Sequence, residues 1–166
     1  MAYGHISPSK VGAQPFAETS SVAKHPLGTL AEGFDSTYGT GEFIYLLGVA
    51  STVVGSPVTF DASTFQTTLA AVGTNLPRRV AFAMSANVAA SYGWYQIGGM
   101  AVASKSATIC CVAGAAVGVK TTGLISKTGS GKEISGALCA ATASAATGRI
   151  TVLLSINRPN MQGRAT

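Results

Sequence analysis

One stretch of the chain, Lys127-Thr-Gly-Ser-Gly-Lys132, has residue types and spacing that approach phosphate chemistry. A loop that cradles phosphates requires Gly-x-x-x-x-Gly-Lys-Ser/Thr between a buried strand and a helix whose N-terminus contributes free amides and positive potential. Counting back from Gly131, the first glycine position holds Ser126. Counting forward from Lys132, the hydroxyl position that would meet magnesium holds Glu133, whose carboxylate repels phosphate. The following Ile134-Ser-Gly-Ala-Leu-Cys-Ala-Ala-Thr142 puts glycine and threonine where a helix needs strong formers, so strand–turn–strand is predicted. The stretch reads as a solvated hairpin turn between Ile125 and Ile134, and no nucleotide cofactor is expected.

Other chemistries lack their parts. Paired-carboxylate hydrolysis needs two acids in one cleft, and beyond residue 41 only Glu42, Asp61 and Glu133 are available. A nucleophile–histidine arrangement needs a well-held imidazole. His5 and His25 both lie near the N-terminus, where nothing in the sequence fixes them against Cys110, Cys111 or Cys139. The same shortage argues against a transition-metal site, and the cysteines lack Cys-x-x-Cys spacing. They read as buried small hydrophobes, with a strained Cys110–Cys111 bridge or a redox role as the alternative. Tyr92, Trp94 and Tyr95 form the main aromatic cluster, but Trp94 and Tyr95 point to opposite faces of a strand. Core or interface packing is therefore expected of them rather than a ligand platform. Arg78-Arg79 could grip phosphate, although a solvated loop or an intersubunit ion pair is the commoner use of such a pair. No enzyme activity, cofactor, metal or small-molecule substrate is expected.

With 166 residues, 10% of them charged and 47% hydrophobic, the chain has little charged surface to keep it apart from neighbours. A soluble surface carries charge on roughly a quarter to a third of its residues, so partner chains are expected to cover part of this one. The net charge of +5 is uneven: residues 1–61 carry −3 and the remainder +8. The basic residues are scattered and no aromatics alternate with them, so direct nucleic-acid contact is not expected and an acidic protein surface explains the pattern. No apolar run approaches the roughly 20 residues of a membrane span, and the polar, proline-dotted start does not read as a signal peptide, so a cytosolic origin is expected.

Residues 1–41 read as an extended N-terminal arm. Pro8, Pro15 and Pro26 break up any period, and Ile6, Phe16, Leu27, Leu30 and Phe34 stand isolated, as pegs for a neighbouring surface. Residues 42–166 read as a β domain of about seven to nine short strands, a compact β-sandwich or small β-barrel. The run from Phe43 is apolar on both faces. Pro57-Val-Thr-Phe-Asp61 starts a strand on a proline. A strand from Arg79 is predicted to set Val80, Phe82 and Met84 on one face, and the last strand turns Ile150, Val152, Leu154 and Ile156 inward, opposite Arg149, Thr151, Ser155 and Asn157. Residues 117–125 and 134–140 are expected to pair around the Lys127 motif, residues 85–90 and 112–116 to form helical turns, and Gly98, Gly99, Gly118, Gly123 and Gly136 to mark bulges or close backbone approach.

Three motifs add a resemblance. Glu42-Phe-Ile-Tyr-Leu-Leu-Gly-Val-Ala-Ser-Thr-Val-Val-Gly-Ser-Pro-Val-Thr-Phe-Asp61, Val80-Ala-Phe-Ala-Met-Ser-Ala86 and Tyr92-Gly-Trp-Tyr-Gln-Ile-Gly-Gly-Met-Ala-Val102 resemble the head decoration (cement) proteins of tailed bacteriophages. The likeness spans about residues 42–156 and is closest through Val102; the segment before Glu42 has no counterpart in it. The resemblance implies a β domain on the outside of an icosahedral head, assembled in the host bacterial cytoplasm. It also implies self-association, often as a trimer, and binding to the major capsid protein so that neighbouring subunits are stapled against internal DNA pressure. The contact residues expected on this reading are Phe16, Leu27, Leu30, Phe34, Arg78, Arg79, Trp94 and Tyr95.

Overall fold

Every regular element of the computed structural model, which describes residues 3–5, 13–72, 78–106, 111–120, 123–144 and 150–162, is a strand. In chain order these are β1 (Gly4–His5), β2 (Thr19–Ser20), β3 (Leu30–Asp35), β4 (Gly39–Leu47), β5 (Pro57–Phe60) and β6 (Thr67–Leu69). They continue as β7 (Arg79–Ala83), β8 (Tyr92–Lys105), β9 (Ala116–Val119), β10 (Ile125–Lys127), β11 (Glu133–Cys139) and β12 (Ile150–Met161). Ile6, Pro8, Cys110 and Arg149, named above, lie outside the described residues. The expected helical turns are hydrogen-bonded turns instead, such as Asn87 N–H to Ser85 O and Ala115 N–H to Val112 O.

β8 is the strand on which the architecture closes. Along its length Tyr95 pairs with Ile44 and Ala83, Gln96 with Phe43 and Phe82, Gly98 with Glu42 and Asn157, and Lys105 with Ile125 and Ile150. Its first half therefore lies between β4 and β7, and its second half between β10 and β12. The ring β8-β10-β9-β11-β12-β7 returns to β8 as a closed six-strand barrel, which removes the unpaired edges that an open sheet would expose. β5 and β6 extend from β7, while β3 and β1 extend beyond β4. Of the two expected architectures the barrel is realised, with extra strands.

Three apolar clusters follow from strand alternation. Inside the barrel, Val152, Leu154 and Ile156 of β12 meet Val80, Phe82 and Ala103, and the intervening Thr151, Ser155 and Asn157 are exposed. Ile44, Leu46, Tyr95 and Ile97 point from β4 and β8 onto Val58, Phe60 and Ala81. Phe43, Tyr45 and Trp94 point the other way, onto Tyr3, Phe16 and Ala31. β4 is buried on both faces, which is why its sequence reads as an unbroken apolar run. Met84 departs from the expected face: β7 ends at Ala83, and Met84 joins the third cluster while Val80 and Phe82 fill the barrel.

The described part of the N-terminal segment runs through turns and three strands along the chain's own sheet, which corrects the reading of it as an extended arm for a neighbour. The boundary at Glu42 falls inside β4, and β3 pairs with β4 from Leu30↔Ile44 to Asp35↔Gly39. The prolines isolate the segment's apolar residues in sequence, yet the aromatic face of β4 and β8 supplies the surface they need. Around the Lys127 motif the expected pairing is realised in part: Val117 pairs with Ile134, whereas Ile125 folds back onto Val119 instead of facing Ile134. β10 and β11 do not pair with each other; both pair with β9, which runs between them. Gly118 sits in that gap, paired with Ser126 on one side and Glu133 on the other, and a β-carbon there would lie 2.7 Å from the Lys132 carbonyl oxygen.

Candidate functional site

The eight expected contact residues divide by burial. Phe16, Trp94 and Tyr95 are 2%, 0% and 0% exposed and belong to the chain's own core, so the expectation that they contact neighbours is corrected. Phe16 stacks between His5 and Phe43, each ring centroid 4.0 Å away. Tyr95 accepts a hydrogen bond from Asn87 Nδ2 at 2.9 Å, and burial pushes its phenol up to about 12. Leu27 is half-buried against the third cluster. Leu30, Phe34, Arg78 and Arg79 remain exposed.

The histidines, expected to be loosely held, are fixed through Gln14. The Gln14 N–H donates to His25 Nε2 at 3.2 Å, and its carbonyl oxygen meets His5 Nε2 at 3.1 Å. The Gln14 side chain donates to the carbonyls of Glu18 and Tyr92 and accepts from the Tyr45 hydroxyl at 2.8 Å. These bonds tie the N-terminal segment to β4 and β8. Cys111 and Cys139 lie together in the barrel interior, in a different cluster from the imidazoles, and burial pushes the Cys139 thiol up to about 12. A thiol so held is a poor nucleophile. Among the described residues no group of three or more His, Cys, Asp or Glu side chains could hold a metal ion.

The structure brings Leu30 and Arg79 together, although 49 residues separate them in sequence. They line an open cavity of about 330 Å³ where the second cluster reaches the surface, with Ile44, Phe60, Val80 and Ile97 as its apolar wall. Arg79, Arg158 and Asn160 stand at its polar side. A second hollow of about 320 Å³ shares Leu30 and Arg158 and is lined further by His5, Glu32 and Glu42. The two adjoin at Leu30 and Arg158, with Arg79 lining the first, Glu32 and Glu42 the second, and Arg158 both.

Arg158, which no sequence pattern singled out, sits where the two hollows meet. Its Nε donates to Glu42 Oε2 at 3.1 Å. Glu42 pairs directly across from Glu32, so the arginine offsets a like-charge juxtaposition between strands. With side chains 66% and 42% exposed, that ion pair returns only about 0–1 kcal/mol. The Arg158 backbone is left-handed, with φ 43°, a conformation that costs a side-chain-bearing residue roughly 1–2 kcal/mol. The strain has a local cause. β12 leaves its pairing with β8 at Asn157↔Gly98 and takes up β7 at Asn160↔Arg79, so the chain must turn at 158. Arg158-Pro159 is the signal that could have marked it, since a proline inside a strand pattern implies a break and restricts the residue before it.

Leu30 and Phe34 are each 54% exposed and alternate with buried Ala31 and Gly33 along β3, so both project from one face of that strand. Compared with protein-family models, curated proteins and solved structures, the chain matches none of them.

Proposed function

We propose that this chain is a structural virion protein that binds the outside of an icosahedral bacteriophage head and staples neighbouring copies of the major capsid protein. The observation that carries the reading is the outer face of β3, where Leu30 and Phe34 are half exposed on a chain with only 10% charged residues. Half-exposed apolar side chains on such a chain favour burial against another protein, with Glu32 as the charged neighbour between them on that face. The motifs that resemble decoration proteins lie on β4, β5, β7 and β8, the strands that build the second cluster beneath that face. Stapling then acts by mass action. A part that binds the assembled shell and not its separated subunits stabilises the shell by its binding free energy, summed over many copies. The same face serves self-association, as a trimer, around a symmetry axis of the shell.

The test is to add purified protein to expanded heads that lack it and to image them by cryo-electron microscopy. Regular added density on the outer surface is expected, with occupancy reduced about tenfold or more by Leu30→Ser/Phe34→Ser at limiting protein. Heads that stay bare at saturating protein would sink the reading, and stacked rings formed by the protein alone would favour a tail-tube part instead.

A further inference from the structure

We propose that the trough between β3, β7 and β12 is a docking groove for an extended peptide segment of a partner protein, one in which a large apolar side chain neighbours a carboxylate. The cavity supplies both halves of that recognition. Leu30, 54% exposed, offers the apolar surface, over the buried Ile44 and Ile97 that floor the cavity, in a volume at the small end of ligand pockets. Beside them the exposed Arg79 guanidinium makes no ion pair among the described residues, while Arg158 donates through Nε to Glu42. A carboxylate reaching Arg79 would gain the charge-assisted, two-pronged hydrogen bonding that guanidinium provides.

The charge pattern selects the class of occupant. A nucleic-acid strand is a continuous polyanion, and along this trough it would pass from Arg79 and Arg158 to Glu32 and Glu42, which repel it. A peptide can alternate charge, placing its acid at the arginines and an amide or a basic group at the glutamates. Arg158 contributes a second, independent observation. It holds a left-handed backbone at a place where glycine would do so without steric penalty, and glycine fills eight of the twelve positive-φ positions among the described residues. Strain retained beside a cavity is the pattern of a residue whose side chain is used. In the capsid-binding reading, which it deepens, the proposal assigns the partner's contribution to this groove: an acidic, apolar extended segment.

The test titrates isotope-labelled protein with the blocked peptide acetyl-Gly-Phe-Glu-Gly-amide, its Gln counterpart, and a thymidine oligonucleotide, and follows backbone amide shifts. The expected result is shifts confined to the neighbourhood of Leu30, Ile44, Arg79, Ile97 and Arg158. Binding should weaken about tenfold when Glu becomes Gln, and equally in Arg79→Glu. Arg158→Gly should bind more weakly while its melting temperature stays at or above that of the parent, which separates a recognition role from a structural one. If Arg158→Gly fails to fold, Arg79→Glu, an exposed change, decides. No shift at millimolar peptide, equal binding of the Gln peptide, or shifts elsewhere would overturn the proposal. Stronger binding of the oligonucleotide in the trough would overturn it in favour of a nucleic-acid site. Peptide binding and head binding are separate measurements: bare heads with a positive titration would refute the virion reading and keep the groove, and decorated heads with no peptide binding would do the reverse.

Discussion

The indole Nε1–H of Trp94 donates to the backbone carbonyl of Gln14 at 2.9 Å, joining positions 80 residues apart at the centre of the third apolar cluster. Around that bond Phe16 stacks on Phe43 at 4.0 Å and meets Trp94 edge-on at 5.4 Å. The N-terminal segment is thereby the outer half of a core layer, since Tyr3, Phe16 and Ala31 cover Phe43, Tyr45 and Trp94 together with Met84 and Tyr92.

Phe16→Ala should accordingly destabilise the fold by about 3–5 kcal/mol, the cost of emptying a buried aromatic site. Deleting residues 1–35 removes Tyr3, Phe16 and all of β3, and should yield a chain that aggregates or loses its cooperative thermal transition. Circular dichroism melts of both variants check this. A truncated protein that melts like the parent would show that the segment is an appendage after all.

At the Lys127 turn, backbone geometry rather than the lysine side chain is expected to govern stability. Gly118→Ala forces a β-carbon to 2.7 Å from the Lys132 carbonyl and 3.0 Å from that of Lys127, both backbone atoms. The expected loss is about 1–3 kcal/mol, as for overpacking. Lys132→Ala should melt like the parent, and neither ATP nor GTP should raise the melting temperature. A nucleotide-dependent rise that disappears in Lys132→Ala would reinstate phosphate binding.

Asp61 caps the turn after β5. Its Oδ1 accepts from the Ser63 hydroxyl at 2.5 Å and from the Ser63 and Thr64 amides at 2.8 and 2.9 Å, which holds the carboxyl far below the ordinary range. A depressed native pKa contributes stability above the unfolded value of about 4, and that contribution is lost as pH falls through the native value. The stability difference between the parent and Asp61→Asn should therefore be constant at neutral pH and shrink below about pH 4. Urea melts across that range check it; a difference that grows on acidification would contradict the assignment.

Tyr95 gives the opposite limb. Its phenol, raised by burial to about 12, stays neutral in the fold while an unfolded tyrosine ionises near 10. Its contribution is full below pH 10 and is lost as pH rises toward 12. Tyr95→Phe should flatten the alkaline limb of the stability profile between those values, at the cost of leaving Asn87 Nδ2 without its 2.9 Å acceptor. An unchanged alkaline limb would mean that another group governs it.

Much of the fold was legible in the residues. The alternation from Val152 to Ile156, the two-sided apolar run at Phe43 and the proline opening β5 each reflect local periodicity, which a strand imposes on its own side chains whatever it pairs with. Pairing and layering were not legible. Nothing local states that Phe16 will meet Phe43 and Trp94, that β9 will insert between β10 and β11, or that β8 will bend from one sheet into a barrel. These are contests between distant surfaces, decided by which arrangement buries the most apolar area with every backbone group bonded. The candidate groove follows the same division. Leu30 and Arg79 were visible as single residues of suitable type, whereas their convergence with Arg158 depends on where β12 exchanges β8 for β7, a partner change that exists only once the barrel has closed.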